Sequence, residues 1–358
     1  MKMTDLVKTK LRAVEALRLL LEQVPAIEHL DVQQEIPHGA DHGVDLIARF
    51  DAFGHRHTLV CEVKSTGQPR HVRAALLQLR DYVERQANDA VPLFIAPYLS
   101  ARAQALCREY DTGFIDLEGN ARLVSGGIFI DRQVAGKPAA ERRQLRSLFK
   151  PKSAQVLRLM LREPRRAWRV VELAEAAGVS LGHASNVRSG LLEREWAQVS
   201  REGVCLSDPD ALLDAWQAAY APPAGRRHGF YTTLHGTAFE SAVRELHPAP
   251  GAGSTALASF SAAQWLAPYG RTGTQYFYAD EMGLERLRSV LKLSGVSKGE
   301  NVVVTVLEDP GPFRDTVEPA PGVLCTSPVQ TFLDLAVAGE RGREAADHLR
   351  RERLQWRT

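Results

Sequence analysis

The stretch Gly43-Val44-Asp45-Leu46-Ile47-Ala48, followed by Leu59-Val60-Cys61-Glu62-Val63-Lys64, carries the first decision about this chain. Two apolar runs separated by Phe53-Gly54 read as antiparallel strands joined by a tight turn. Side chains repeat along a strand with period two, so a turn centred between Phe53 and Gly54 sets Asp45 opposite Glu62, with Lys64 on their face. Val44 and Val63 then pair on the other face. Two facing carboxylates repel unless a cation lies between them, and hard oxygen ligands suit Mg²⁺ or Mn²⁺. A lysine one step along the strand can orient an attacking water or offset charge on a phosphoryl transition state. The competing reading is a solvated strand face, where Glu and Lys are commonplace.

The segment that follows adds polar groups. His71 to Ala87 carries Val72, Ala75, Leu76, Leu79 and Val83 at helical spacing, and presents Gln78 and Tyr82 one turn apart on a neighbouring face. At these residues the chain resembles the PD-(D/E)xK nuclease superfamily. Asp45, Glu62 and Lys64 lie in the hairpin, and Gln78-Leu79-Arg80-Asp81-Tyr82 matches the Gln-x-x-x-Tyr of the RecB-like branch. The resemblance covers about the first third of the chain. It implies a restriction-endonuclease-like α/β domain, with Asp45 and Glu62 as metal ligands, Lys64 as the catalytic lysine, and Gln78 and Tyr82 as accessory catalytic groups. For the glutamate that the family often adds on its first helix, Glu15 and Glu35 compete. Many relatives keep the fold without catalysis.

With 358 residues, 44% hydrophobic and 25% charged, the chain is globular material with room for two or three cores. A net charge of +2 does not by itself point to a partner. Cys61, Cys107, Cys205 and Cys325 lie far apart in no metal-ligand spacing, and no signal peptide or long apolar segment is present. The expectation is a cytoplasmic protein with reduced thiols and no membrane association.

Along the first part, a helix at Leu6 to Gln23 precedes the hairpin and the Gln78 helix. A buried strand at Val91 to Ile95 and a helix at Ala101 to Tyr110 come next. Phe114 to Leu123 then reads as a strand, a Gly119-Asn120 turn and a returning strand that continues through Ile128-Phe129-Ile130. Asp116 and Glu118 read as a turn-proximal polar pair rather than a second acidic site.

From Glu141 the charge changes abruptly. Arg142, Arg143, Arg146, Lys150, Lys152, Arg158, Arg162, Arg165, Arg166 and Arg169 crowd a stretch whose only acids are Glu141 and Glu163. Such a run is a solvated face, a linker or a phosphate-binding footprint. Helices at Ser153 to Leu161 and Val170 to Ala177, a Gly178-Val179-Ser180 turn, a helix at Leu181 to Arg194 and a hairpin at Trp196 to Leu206 make up a winged helix-turn-helix. Gly178 suits a left-handed turn position, Val179 can plug the core, and Ser180 can cap the third helix. His183, Ser185, Asn186 and Arg188 project from the early turns of that helix, where base edges or phosphates are met. Arg165, Arg166, Arg169 and Arg201 are placed for phosphates. The alternative is a polar helix face in a protein-docking winged helix.

The whole order is similar to the AbiEi-like antitoxins and transcriptional regulators of type IV toxin-antitoxin systems. The residues that carry this are Phe114 to Ala121, Val171 to Gly182, Leu212-Leu213-Asp214-Ala215-Trp216, Ser327 to Leu335 and Arg343 to Arg350. The resemblance implies promoter binding, usually for autorepression, and an antitoxin role opposite a nucleotidyltransferase-like toxin. Shorter relatives begin with the winged helix, and this chain departs from them by placing a nuclease-like domain first.

The organisation expected is α/β (α+β): residues 1–137 nuclease-like, 138–222 winged helix-turn-helix with its basic lead-in, and 223–358 a C-terminal α/β module. In that module His235, Asp280 and Glu281 read as coincidence rather than a metal site, and the basic terminal helix through Arg353 as packing with a solvated face. The leading expectation is a regulator on double-stranded operator DNA, with a homodimer among the expected assemblies. A Mg²⁺-dependent endonuclease targeted by its winged helix is the runner-up, and a toxin-neutralising docking protein the third reading.

Overall fold

The computed structural model describes residues 2–34, 44–86, 90–246, 253–270, 272–296 and 298–356, with side chains from 6 onward and to 85 in the second segment. Glu35, one of the two competing helix glutamates, lies outside them. The chain divides into two compact units, Met1–Glu141 with Leu192–Glu195, and Arg142–Leu191 with Trp196–Thr358. The helix-turn-helix and the C-terminal module thus fall within one unit. Among the described residues no helix is long and apolar enough to cross a membrane. The four cysteines are free thiols, three of them buried.

The first unit is a mixed α/β layer structure. Its sheet has the order β1 (Ile27–Gln34), β2 (Leu46–Ala52), β3 (His55–Val63), β4 (Val91–Ala96), β5 (Gly113–Asp116), β6 (Ala121–Ser125), β7 (Ile128–Arg132). The β3–β4 and β4–β5 pairs are parallel and the rest antiparallel. Helix α1 (Lys2–Glu22) buries Ala13, Leu17, Leu20 and Leu21, one face at helical spacing, against Leu46, Ala48, Leu59, Cys61 and Val63. Helices α2 (Pro69–Gln86) and α3 (Ala101–Glu109) cover the other face, where Val72, Ala75, Leu76, Leu79 and Leu106 meet Ile47, Val60 and Phe94. Burial on both faces explains the near-continuous apolar runs of the central strands.

The β2–β3 register is the one the sequence predicts, Ala52 pairing with His55. Phe53 and Gly54 both have positive φ, 54° and 78°, as in the type I′ loop that matches strand twist. Strand β1 escapes the sequence reading because a bulge between Glu28 and Asp31 breaks the apolar alternation of Ile27, Leu30 and Val32.

In the second unit, α4 (Ala139–Leu148), whose first residues belong to the first unit, precedes α5 (Pro151–Arg162), α6 (Val170–Ala177) and α7 (Leu181–Glu193). Strands β8 (Ala197–Val199) and β9 (Val204–Leu206) form a hairpin. Trp168 extends it, exchanging backbone hydrogen bonds of 2.8 and 2.9 Å with Val204. After α8 (Pro209–Ala218) comes a second mixed sheet built from β10 (Gly225–Tyr231), β11 (Thr255–Leu257), β12 (Gln275–Ala279), β13 (Ser294–Gly295), β14 (Val302–Leu307), β15 (Thr316–Ala320) and β16 (Val323–Thr326). Its order is β13-β10-β14-β12-β11-β16-β15. Helix α9 (Gly236–Arg244) meets it through Phe239 and Phe277, α10 (Ser259–Leu266) and α11 (Glu281–Val290) pack against it, and α12 (Pro328–Ala336) and α13 (Gly339–Arg353) stack on α10, with α12 also touching α5.

Candidate functional site

Asp45 occupies a bend just before β2 begins. Its N–H donates to the Cys61 carbonyl at 2.9 Å, and its Oδ2 accepts the Val63 N–H at 2.7 Å. The Val63 amide points toward the β2 side in the plane of the sheet, so the Asp45 carboxylate closes the end of the ladder and lies near that plane. It does not stand straight out opposite Glu62. The same bend turns Val44 into the α2–α3 core, while Val63 packs toward α1, so these two valines do not pair on one face. Strand regularity ends where a side chain replaces a backbone acceptor.

Glu62, only 8% exposed, follows Val60 on the α2–α3 face, and Lys64 follows it. Lys64 Nζ donates to Glu62 Oε1. Burial first, and then the negative charge of Asp45, push the Glu62 carboxyl pKa up. Lys10 of α1 closes the group, its Nζ 2.5 Å from Asp45 Oδ1. Sequence reasoning missed Lys10. The available signal is its position three residues before Ala13 and seven before Leu17, on the helix face that packs inward.

Gln78 is exposed on α2 and Tyr82 is half-buried against the α2–α3 core. No hydrogen bond among the described residues joins either to Asp45, Glu62 or Lys64. Glu15, on α1, lines a different hollow with Asp116 and Arg132. Among the described residues no three His, Cys, Asp or Glu side chains converge to hold a metal. Mg²⁺ is commonly held by one or two carboxylates and retains several waters, so the donor chemistry of Asp45 and Glu62 fits a hydrated Mg²⁺ or Mn²⁺ once Lys10 withdraws. Such an ion would supply charge for phosphoryl chemistry.

Asp116 is a turn organiser. Its Oδ1 accepts the N–H groups of Glu118 and Asn120, and its Oδ2 those of Leu99 and the Asn120 side chain, at 2.7–3.1 Å.

The helix-turn-helix segment keeps its expected turn. Gly178 ends α6 with φ 64° and ψ 40°, and Ser180 Oγ accepts the His183 N–H at 3.3 Å as a cap. Val179 is half-buried. Asn186 is exposed, Ser185 and Arg188 are half-exposed, and Arg201 is exposed at the tip of the β8–β9 hairpin. His183 is engaged inward, its Nε2 3.0 Å from Ser153 Oγ on α5. Arg165 and Arg169 are exposed. Arg166 stacks over Trp168 at 3.7 Å from the ring centre and pairs with Glu163 at 3.0 Å.

The basic run divides. Arg158 is 3% exposed and donates to Gln330 Oε1 at 3.0 Å, and Arg162 donates to Asp315 Oδ1 at 2.8 Å. Arg158 is internal, while Arg162, although paired, is exposed like the other basic residues of the run. In the C-terminal module Asp280 caps α11 through the Gly283 N–H, Glu281 pairs with Arg226, and Arg350 of the terminal helix pairs with Asp210 and Asp214.

Residues 205–355 match the AbiEi_2 family model, described as "Transcriptional regulator, AbiEi antitoxin, Type IV TA system". The match begins in β9, after the helix-turn-helix. No curated protein matches the chain. A solved structure titled "Structure of EndoMS in apo form" is similar at 18% identity, covering 29% of this chain, with a TM-score of 0.21. The chain spans 44% of that structure's chain, and so low a score carries no argument here.

Proposed function

We propose that this chain, whose residues 205–355 match the AbiEi antitoxin and transcriptional-regulator family, is a DNA-binding transcriptional regulator that acts through a winged helix-turn-helix. The observation that carries the reading is the left-handed Gly178 turn between α6 and α7, with exposed Asn186 on α7 and Arg201 at the tip of the following hairpin. That order suits α7 to the major groove and the hairpin to the adjoining backbone. In this reading Ser185, Asn186 and Arg188 meet base edges or nearby phosphates, Ser180 fixes the start of the helix, and Arg165, Arg166, Arg169 and Arg201 bind phosphates. The first unit adds backbone contacts. The residues matching the family supply a docking module for a nucleotidyltransferase-like toxin, and a homodimer would suit a palindromic operator.

A second reading, a Mg²⁺- or Mn²⁺-dependent endonuclease, is favoured by one observation, the gathering of Asp45, Glu62 and Lys64 at the end of the β2–β3 hairpin. There Asp45 and Glu62 would hold the ion and Lys64 would orient water or offset transition-state charge. Gel-shift titration on DNA upstream of the gene, with plasmid cleavage in Mg²⁺ or Mn²⁺ run beside Lys64→Ala, tests both. Sequence-selective binding without cleavage supports the regulator. Cleavage that disappears in Lys64→Ala overturns the ranking.

A further inference from the structure

The second unit contains a cavity of about 610 Å³, bounded by Phe149, α5, Trp216 of α8, the segment after α8 and Gln330 of α12. That size is in the range of small-molecule sites, roughly 300–1,000 Å³. The Phe149 and Trp216 rings stack at 5.7 Å between centres and 4° between planes, and Pro222 and Pro312 extend the apolar wall. Because α5 packs beneath α6, an occupant would touch the scaffold of the helix-turn-helix.

Arg158 makes this more than a packing gap. It lines the cavity, is 3% exposed, and uses Nη1 on the neutral Gln330 side chain. Its Nε has no hydrogen-bond partner. Among the described residues no carboxylate lies within ion-pair distance of it, and Asp315, Asp334 and Asp309 act on its charge only from farther away. A buried cation without a direct anion is destabilised by lost hydration, and its donors hold an anion strongly when one arrives. Arg146 and Lys150 bring two more positive charges to the lining. The acids there are Glu308 and Asp309, the latter already accepting the Gly311 N–H at 2.8 Å.

We propose that this cavity binds a small planar organic anion, an aromatic carboxylate, with its ring along the Phe149–Trp216 wall and its carboxylate on the Arg158 guanidinium. The apolar stack recognises the ring, and the guanidinium makes recognition depend on charge.

Isothermal titration of the full chain with 2-naphthoate tests this without DNA, so the outcome does not depend on operator binding. The expected result is saturable one-site binding, at least tenfold weaker for the neutral 2-naphthalenemethanol and for Arg158→Met. Because Arg158→Met also removes the Gln330 hydrogen bond, Ala219→Trp serves as a second variant that keeps Arg158 and fills the cavity from its rim. It should abolish naphthoate binding while its thermal unfolding stays within a few degrees of wild type. Absence of saturable binding, equal affinity for the neutral alcohol, or undiminished binding in a folded Ala219→Trp would each overturn the proposal.

Discussion

Lys10 Nζ lies 2.5 Å from Asp45 Oδ1, so a lysine from α1 holds the carboxylate that opens the β2–β3 hairpin. With Lys64 on Glu62, each acid of the pair has its own cation. In the metal-dependent reading proposed above, Lys10 would compete with a divalent ion for Asp45. Lys10→Met should raise Mn²⁺ affinity by about tenfold, equivalent to ~1.4 kcal/mol. Electron paramagnetic resonance titration of free Mn²⁺ reads this directly. Unchanged affinity in Lys10→Met, with binding still lost in Asp45→Asn, would remove the competitor role.

If the pair holds an ion for chemistry, Lys64→Ala should retain Mn²⁺ binding and lose cleavage, while Asp45→Asn and Glu62→Gln should lose both. Gel shifts through α7 should survive all three. Loss of metal binding in Lys64→Ala would assign that lysine to site structure instead.

Asn186→Ala and Arg188→Ala should each weaken specific DNA binding by about 1–3 kcal/mol. Neutralising Arg165 with Arg169 should weaken binding to all sequences and flatten its salt dependence, because fewer counterions are released. His183→Ala should act mainly on thermal stability, since its ring bonds to Ser153. A salt slope unchanged by the arginine pair would take those side chains off the phosphates.

Asp116 accepts four hydrogen bonds at 1% exposure. Asp116→Ala leaves those donors buried, so the first unit should lose about 3 kcal/mol or more in urea unfolding. A loss below about 1 kcal/mol would mean that water reaches the loop freely.

Burial raises the Asp334 carboxyl from 3.8 to about 6, against hydrogen bonds from Tyr220, Tyr278 and Gln330. Between those values the folded chain holds a proton that the unfolded chain has released, so this contribution to stability falls as pH rises through the window. The fall should be on the order of 2–3 kcal/mol and absent in Asp334→Asn. Urea midpoints of the two proteins, compared from pH 4 to pH 6.5, check it. Parallel curves would show that Asp334 titrates normally.

Local chemistry made much of this molecule legible in its sequence. Phe53-Gly54 between apolar runs specified the hairpin, because a two-residue loop with positive φ matches strand twist. Gly178 and Ser180 marked the turn and the helix start, because a left-handed residue and a side-chain cap satisfy the free groups of helix ends. The apolar positions of α1, α2 and α6 appeared at their helical period, and residues 205–355 carried the family pattern. Which charges meet was decided only by the tertiary structure. Lys10 reaches Asp45 across the sheet end, Arg158 turns from the basic run to Gln330, and Arg162 turns to Asp315. Turns and periodicity depend on neighbours a few residues away and are written locally. A buried charge is defined by partners far off in sequence, and until the chain folds around it, Arg158 reads like any other arginine of its run.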